Sequence, residues 1–268
     1  APSSWDPAIS PDQAKERWQR VLGYMLEDGY ITQDQYDSAT YPETIVSENT
    51  ETYAGPTGYL LQMVRAELQQ EGEFTDQQID TGGLNIVTTI KKEDQDAAVD
   101  AVNNLPEGHS DRLRTGLVSI DATNGGILAL YGGPDYLTDQ VNSSTQAVAQ
   151  AGSTYKPFAL IAGLEGGLTL SNSYDGSSPM QIGDGTFTNF QDAQYPRINL
   201  IQATTDSVNT AYVQLNRDVG PDATNEVAKR AGYPEDTVGM DETLQNVLGS
   251  ASPHTVDIAA SYATFASQ

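Results

Sequence analysis

Apolar positions recur at helical spacing soon after the chain opens. Ala14, Trp18, Val21, Leu22, Met25 and Leu26 form an amphipathic stripe that ends near Gly29. Ahead of it, Ser10-Pro11-Asp12-Gln13 supplies a capping serine, a proline at the first helical position and a glutamine at the capping-box site. Thr32-Gln33-Asp34-Gln35 offers a second box and a short helix through Ala39. Residues 42–56 are polar and aperiodic, which predicts a loop, and a third helix follows with Leu60, Leu61, Val64 and Leu68 on one side. After Thr81-Gly82-Gly83, residues 84–90 are rich in β-branched side chains and predict a strand. Residues 91–105 return to helical spacing through Ala98, Val102 and Leu105, and Pro106-Glu107-Gly108-His109-Ser110-Asp111 reads as a boundary.

The pattern then changes period. Leu117-Val118-Ser119-Ile120-Asp121 and Ile127-Leu128-Ala129-Leu130-Tyr131 flank Thr123-Asn124-Gly125-Gly126, and Asn-Gly between two apolar runs is a strong hairpin signal. A polar linker through Asn142-Ser143-Ser144 leads to a helix opening near Ser153. Residues 165–198 read as a loop-rich excursion with a short hairpin through Gly183-Asp184-Gly185. Residues 200–215 and 221–231 are helical in pattern, the second stopped by Gly232, and residues 253–265 form a last helix.

Composition narrows the function classes. The 268 residues suffice for a sizeable core. With 13 Lys+Arg against 37 Asp+Glu the formal net charge is −24, which disfavours nucleic acid and anionic membranes as partners. There is no cysteine, so disulfides, thiolate catalysis and sulfur metal sites are excluded. His109 and His254 are far apart and outside any ligand-spaced or GxSxG setting, which argues against a zinc site or a Ser-His-Asp hydrolase. No apolar run approaches the roughly 20 residues that span a bilayer.

Chemistry concentrates at Gly152-Ser153-Thr154-Tyr155-Lys156. At i and i+3 of a helix start, Ser153 and Lys156 share a face, with the serine near unpaired backbone N–H groups. A lysine can activate such a hydroxyl only when neutral, so its pKa must fall from about 10.4, and the apolar run after it suggests burial. The bland reading is a surface Ser and Lys that share a helix face by chance. A second pair stands at Ser207-Val208-Asn209, where a tight turn between two helices could aim both side chains into one cleft. The same spacing recurs at Ser47-Glu48-Asn49 in a polar loop, so helix capping or a surface turn is its bland counterpart.

Together these segments resemble the class A, high-molecular-weight penicillin-binding proteins. The Ser-x-x-Lys and Ser-x-Asn pairing belongs to that family and to class A β-lactamases. Thr81-Gly82-Gly83-Leu84 through Ile90 resembles the family's linker strand. The hairpin with Asn124-Gly125-Gly126, Thr145-Gln146-Ala147, the Ser153 segment, Ser207-Val208-Asn209-Thr210 and Tyr262-Ala263-Thr264-Phe265-Ala266 follow in the family's order. The resemblance implies an α+β transpeptidase fold, an antiparallel sheet between helical layers, over residues 111–268. It implies a mainly helical linker and the tail of a glycosyltransferase region over residues 1–110.

It also implies a reaction. Ser153 attacks the penultimate D-alanine carbonyl of a peptidoglycan stem peptide, Lys156 takes its proton, Ser207 passes one to the departing D-alanine, and Asn209 binds substrate and assists Lys156. An amine of a neighbouring stem resolves the ester, β-lactams acylate the same serine, and no cofactor or metal is called for. A DD-carboxypeptidase or β-lactamase-type hydrolase on the same fold, or a catalytically incomplete binding or scaffold fragment, are the alternatives.

Two departures qualify the resemblance. Lys15, Lys91, Lys92, Lys156 and Lys229 are the lysines, and none begins the family's Lys-Thr-Gly or Lys-Ser-Gly motif. The upstream glycosyltransferase motifs are missing as well. The expectation is therefore a piece of a larger protein, anchored on the extracytoplasmic face of a bacterial membrane. Its remaining sheet strands would come from the C-terminal part of the same protein as a separate chain, because a lone hairpin is marginal and leaves a bare edge.

Overall fold

The computed structural model describes residues 5–44, 52–110 and 112–267. Ser47, Glu48 and Asn49 lie outside them. The chain divides into two compact units, Ala1–Thr52 and Tyr53–Gln268.

In the first unit, α1 (Pro11–Glu27) begins on Pro11 as expected, but Ser10 makes no side-chain cap. α2 (Gln33–Ser38) carries a complete capping box between Thr32 and Gln35. Of the apolar stripe only Ala14 is buried within the described residues; Val21 and Met25 remain exposed. Trp18 packs edge-on against Tyr41 at 5.4 Å between ring centres.

The second unit opens with α3 (Thr57–Gln70) and α4 (Asp76–Thr81), which starts on a second complete box between Thr75 and Gln78. Residues 84–90, expected as a strand, are not one. Among the described residues they are tied to the hairpin by Thr89 Oγ1 to Ile127 O at 2.7 Å and, just after them, by Lys91 N to Leu128 O at 2.8 Å, and Leu84, Ile86 and Val87 stay exposed. A β-branched run becomes a strand only where a neighbour supplies a continuous ladder, and none of the described residues does so here.

α5 (Lys92–Asn103) packs against the hairpin of β1 (Leu117–Ile120) and β2 (Ile127–Tyr131). Gln95 fastens it, accepting from Leu130 N at 2.8 Å and donating to Leu130 O at 2.9 Å. The strands are antiparallel, and the expected turn holds through Asp121 Oδ1, which accepts from Thr123 N, and through Gly125 at φ 76.

α6 (Lys156–Glu165) follows, and beyond it the excursion carries β3 (Ser173–Asp175), β4 (Met180–Ile182), β5 (Gly185–Phe187) and β6 (Arg197–Asn199). β4 and β5 form the expected hairpin, and β3 pairs with β6 across the loop between them. The helical pattern over residues 200–215 is broken into α7 (Leu200–Thr205) and α8 (Asn209–Val219). α9 (Pro221–Arg230) and α10 (Thr255–Ser267) complete the set, α10 packing on β1.

Two apolar clusters meet on α6. One gathers Leu200, Ala203, Val208, Ala211, Tyr212 and Leu215 from α7, α8 and the turn between them around Ala159. The other stacks Tyr155, Phe158 and Tyr233 edge to face at 5.0–5.6 Å, with Val227 and Ala228 of α9 beneath. α6 is thereby clamped on both flanks, and its first turn is the element that positions the site.

Candidate active site

Ser153 sits on a 3₁₀ turn, Gly152–Tyr155, that runs directly into α6. Ser153 lines the same cleft as Ser207 and Asn209, the two residues that hold Lys156. Gly152 enters the turn at φ 56, a conformation open to glycine. Ser153 is exposed, and Lys156 is only 3% exposed.

The amine does not bond the Ser153 hydroxyl. Lys156 Nζ donates to Ser207 O at 2.6 Å, Asn209 Oδ1 at 2.7 Å and Ser207 Oγ at 2.9 Å. Among the described residues Ser153 Oγ has no hydrogen-bond partner at all, a looseness common at catalytic hydroxyls before substrate binds. Burial pushes the Lys156 amine down from 10.5 to about 8. The three acceptors and the face of Tyr212, 5.5 Å from Nζ, pull the other way by favouring the ammonium.

Ser207 owes its place to a helix ending. Val208 N donates to Ala203 O at 2.9 Å and Ser207 N to Thr204 O at 3.2 Å, the paired bonds of a Schellman motif. Ser207 therefore takes the left-handed position, at φ 53, where glycine is usual, and Val208 and Ala203 supply the buried apolar contact. That conformation costs a non-glycine residue on the order of 1 kcal/mol. It turns both the carbonyl and the hydroxyl of Ser207 onto Lys156.

Asn209 begins α8, and its amide is oriented from both ends: Nδ2 donates to Thr188 O at 2.9 Å while Oδ1 faces the lysine. The neighbouring Asn189, buried, holds this loop to α8 by accepting from Thr210 N at 3.1 Å. Ser153, Ser207 and Asn209 line one cleft of about 610 Å³, with Thr188, Asn189, Phe190, Gln191 and Asp206 around it. All four residues expected from the sequence thus converge, three on the cleft and Lys156 beneath it. Sequence reasoning missed Thr188, Asn189 and Phe190, which lie in a stretch without periodicity. Neither histidine lines the cleft, and among the described residues no cluster of His, Asp or Glu is placed to hold a metal ion.

The α+β fold thus places an exposed serine on a helix-opening turn above a buried lysine clasped by a Ser-x-Asn turn. The sequence model described as the penicillin binding protein transpeptidase domain matches residues 115–266, and the chain belongs to that family. It is 34% identical to penicillin-binding protein 1A of Mycolicibacterium smegmatis over 283 aligned positions, covering 99% of this chain and 35% of the relative. Penicillin-binding protein 2D of Bacillus subtilis is 27% identical, with 99% of this chain and 39% of that protein covered. The chain thus spans little more than a third of the length of these relatives.

The solved structure of PonA1 from Mycobacterium tuberculosis in complex with penicillin V superposes with a TM-score of 0.72 at 33% identity, over 79% of this chain and 59% of that one. Penicillin-binding protein 1A from Haemophilus influenzae, at 23% identity and TM-score 0.70, shares the fold over 99% of this chain and 54% of that structure.

Proposed function

We propose that this chain carries the acylation site of a peptidoglycan DD-transpeptidase. Ser153 Oγ attacks the carbonyl of the penultimate D-alanine of a stem peptide while its proton passes to the neutral Lys156 amine. The C–N bond to the terminal D-alanine breaks, and Ser207 delivers the proton that this leaving amine needs while recovering one from the Lys156 ammonium, which its Oγ faces at 2.9 Å and which returns to the neutral amine. An amine of a second stem then displaces Ser153, forming the cross-link and returning the serine proton. Asn209 holds substrate with its amide and keeps the lysine in place. The Ser153 N–H, with an N–H from a further strand, stabilises the tetrahedral oxyanion. β-Lactams enter the same first step and stay as an acyl-serine.

The observation that carries this reading is the clasp on Lys156: a buried amine, its pKa lowered by burial, held by Ser207 and Asn209 on the cleft that Ser153 lines. The family match beginning at residue 115 supports assigning residues 111–268 to the transpeptidase domain, with residues 1–110 as linker and glycosyltransferase tail. Extracytoplasmic placement rests on the substrate's location. No helix among the described residues is long and apolar enough to cross a membrane. A second polypeptide, the C-terminal remainder, would pair with β1, whose only strand partner among the described residues is β2.

The test uses the intact protein, a stem peptide ending in D-Ala-D-Ala, and an acceptor amine. Release of D-alanine with formation of a cross-linked product is the expected result. Release with only a shortened, hydrolysed peptide would point to a carboxypeptidase, and no release would leave a binding module.

A further inference from the structure

Behind the turn that carries Ser153 lies a layer of buried amides that the reaction above does not use. Asn246 opens a 3₁₀ turn, Asn246–Leu248, and is 1% exposed. Its Nδ2 donates to Pro221 O at 3.0 Å and to Asn225 Oδ1 at 2.9 Å, and its Oδ1 accepts from Asn216 Nδ2 at 2.7 Å. Asn216 Oδ1 accepts from Thr224 Oγ1 at 2.6 Å, and Asn225 Oδ1 also accepts from the Tyr155 hydroxyl at 2.9 Å. A buried network with every amide engaged holds one geometry, because any rearrangement leaves a desolvated polar group unpaired.

Three connections run from this network to the site. Tyr155 belongs to the same turn as Ser153. Asn216 lies on α8, the helix that Asn209 begins. Gly249, directly after the Asn246 turn, takes φ 80 and accepts from Gly152 N at 3.1 Å; a Cβ at Gly249 would collide with the Gly152 backbone. The turn bearing Ser153 therefore rests backbone to backbone on the segment that Asn246 anchors.

We propose that Asn246 is a positioning residue, setting the separation between the Ser153 turn and the Lys156–Ser207–Asn209 cluster. The proposal rests on the acyl-transfer reading above. Asn246 touches no reacting atom and acts through Gly249–Gly152 on one side and Asn225–Tyr155 on the other. Among the described residues Ser153 Oγ has no hydrogen-bond partner, so there its place is set by its backbone. A displacement on the order of 1 Å at a nucleophile costs about 10²-fold in rate. A purely structural role makes a different statement. It would lower the fraction of molecules able to react, leaving the rate constant of the rest unchanged.

Single-turnover acylation of the intact protein by a fluorescent penicillin separates amplitude, dissociation constant and acylation rate constant. Two variants are needed. Asn246→Asp keeps the acceptor for Asn216 and removes both donations. Tyr155→Phe cuts the link to the Ser153 turn without touching Asn246, and remains informative should the buried carboxylate prevent folding. The expected result is an acylation rate constant lower by about 10- to 100-fold in Asn246→Asp and severalfold in Tyr155→Phe. Amplitude and dissociation constant should stay within about twofold, with faster amide hydrogen exchange at residues 152–155 and unchanged exchange in β1 and β2. Full amplitude with unaltered rate constant and exchange overturns the proposal, as does lost amplitude at an unaltered rate constant. Wild-type protein that takes no acyl group would sink the acyl-transfer reading by itself. The exchange comparison then still decides whether Asn246 holds the turn.

Discussion

Asn209 presents its amide oxygen to Lys156 Nζ at 2.7 Å and cannot present its nitrogen instead, because Nδ2 is committed to Thr188 O. The lysine is therefore surrounded by acceptors, and its proton is retained by Asn209 and Ser207 and expelled by burial. The balance between the two sets the pH at which the amine can act as a base.

Acylation should accordingly speed up as pH rises through about 8, the value to which burial brings Lys156. At pH 7 about a tenth of the amines would be neutral. A pH–rate profile for the acylation rate constant checks this, and Lys156→Met should abolish the limb together with most of the rate. A profile flat between pH 6 and 10 would exclude the lysine as base.

The same shift makes a stability statement. Because the folded-state pKa lies below 10.5, the unfolded chain binds more protons between about pH 8 and 10.5, so this group's contribution grows with pH across that window and is lost as pH falls to 8. Relative to wild type, Lys156→Met should thus be more stable at pH 7 than at pH 10.5, by at most about 3 kcal/mol. Denaturant titrations at the two pH values measure the difference.

Asn209→Asp places a carboxylate against the amine and opposes a carbonyl at Thr188. An adjacent negative charge raises a lysine pKa, on the order of one unit or more. The rising limb of the pH–rate profile should move to higher pH by that amount. An unchanged midpoint would show that Asn209 does not control the base.

Ser207 occupies a position suited to glycine. Ser207→Gly should leave stability unchanged or raise it by up to about 1 kcal/mol, while slowing turnover of peptide substrate through loss of the hydroxyl. Ser207→Ala keeps the backbone strain and should lose activity without that gain. Thermal unfolding beside D-alanine release distinguishes the pair.

Much of this was legible in the chain itself. Asn124-Gly125 specifies its turn through backbone geometry, Thr32 and Gln35 their box through local hydrogen bonds, and Ser153 and Lys156 share a face by helix period alone. The convergence of Ser207 and Asn209 on Lys156 was reachable only through the family resemblance, since it depends on a helix ending in a left-handed serine. The box at Thr75 and Gln78 carries the same local signal as the one at Thr32 and Gln35. Residues 84–90 have strand composition, yet strand formation depends on a neighbour that sequence pattern cannot supply. Asn216 falls on the buried face of α8 beside Tyr212 and Leu215, but its meeting with Asn246 is a long-range contact that only the folded chain reveals.

Phe158 tests the support of the site separately from its chemistry. It is fully buried against Tyr155, Tyr233 and Phe265. Phe158→Ala should destabilise by about 3–5 kcal/mol through lost burial and a residual cavity. Calorimetry or denaturant unfolding reads this directly, and a loss below about 1 kcal/mol would mean that α6 is not clamped as described.

The central claim is that the Ser153 hydroxyl is the group that Lys156 activates. The most direct measurement is incubation of the intact protein with a labelled penicillin, followed by mass analysis of the peptide that contains residue 153. The account predicts one stoichiometric acyl adduct on Ser153, absent in Ser153→Ala. An adduct on another residue, or equal labelling of the Ser153→Ala variant, would contradict it.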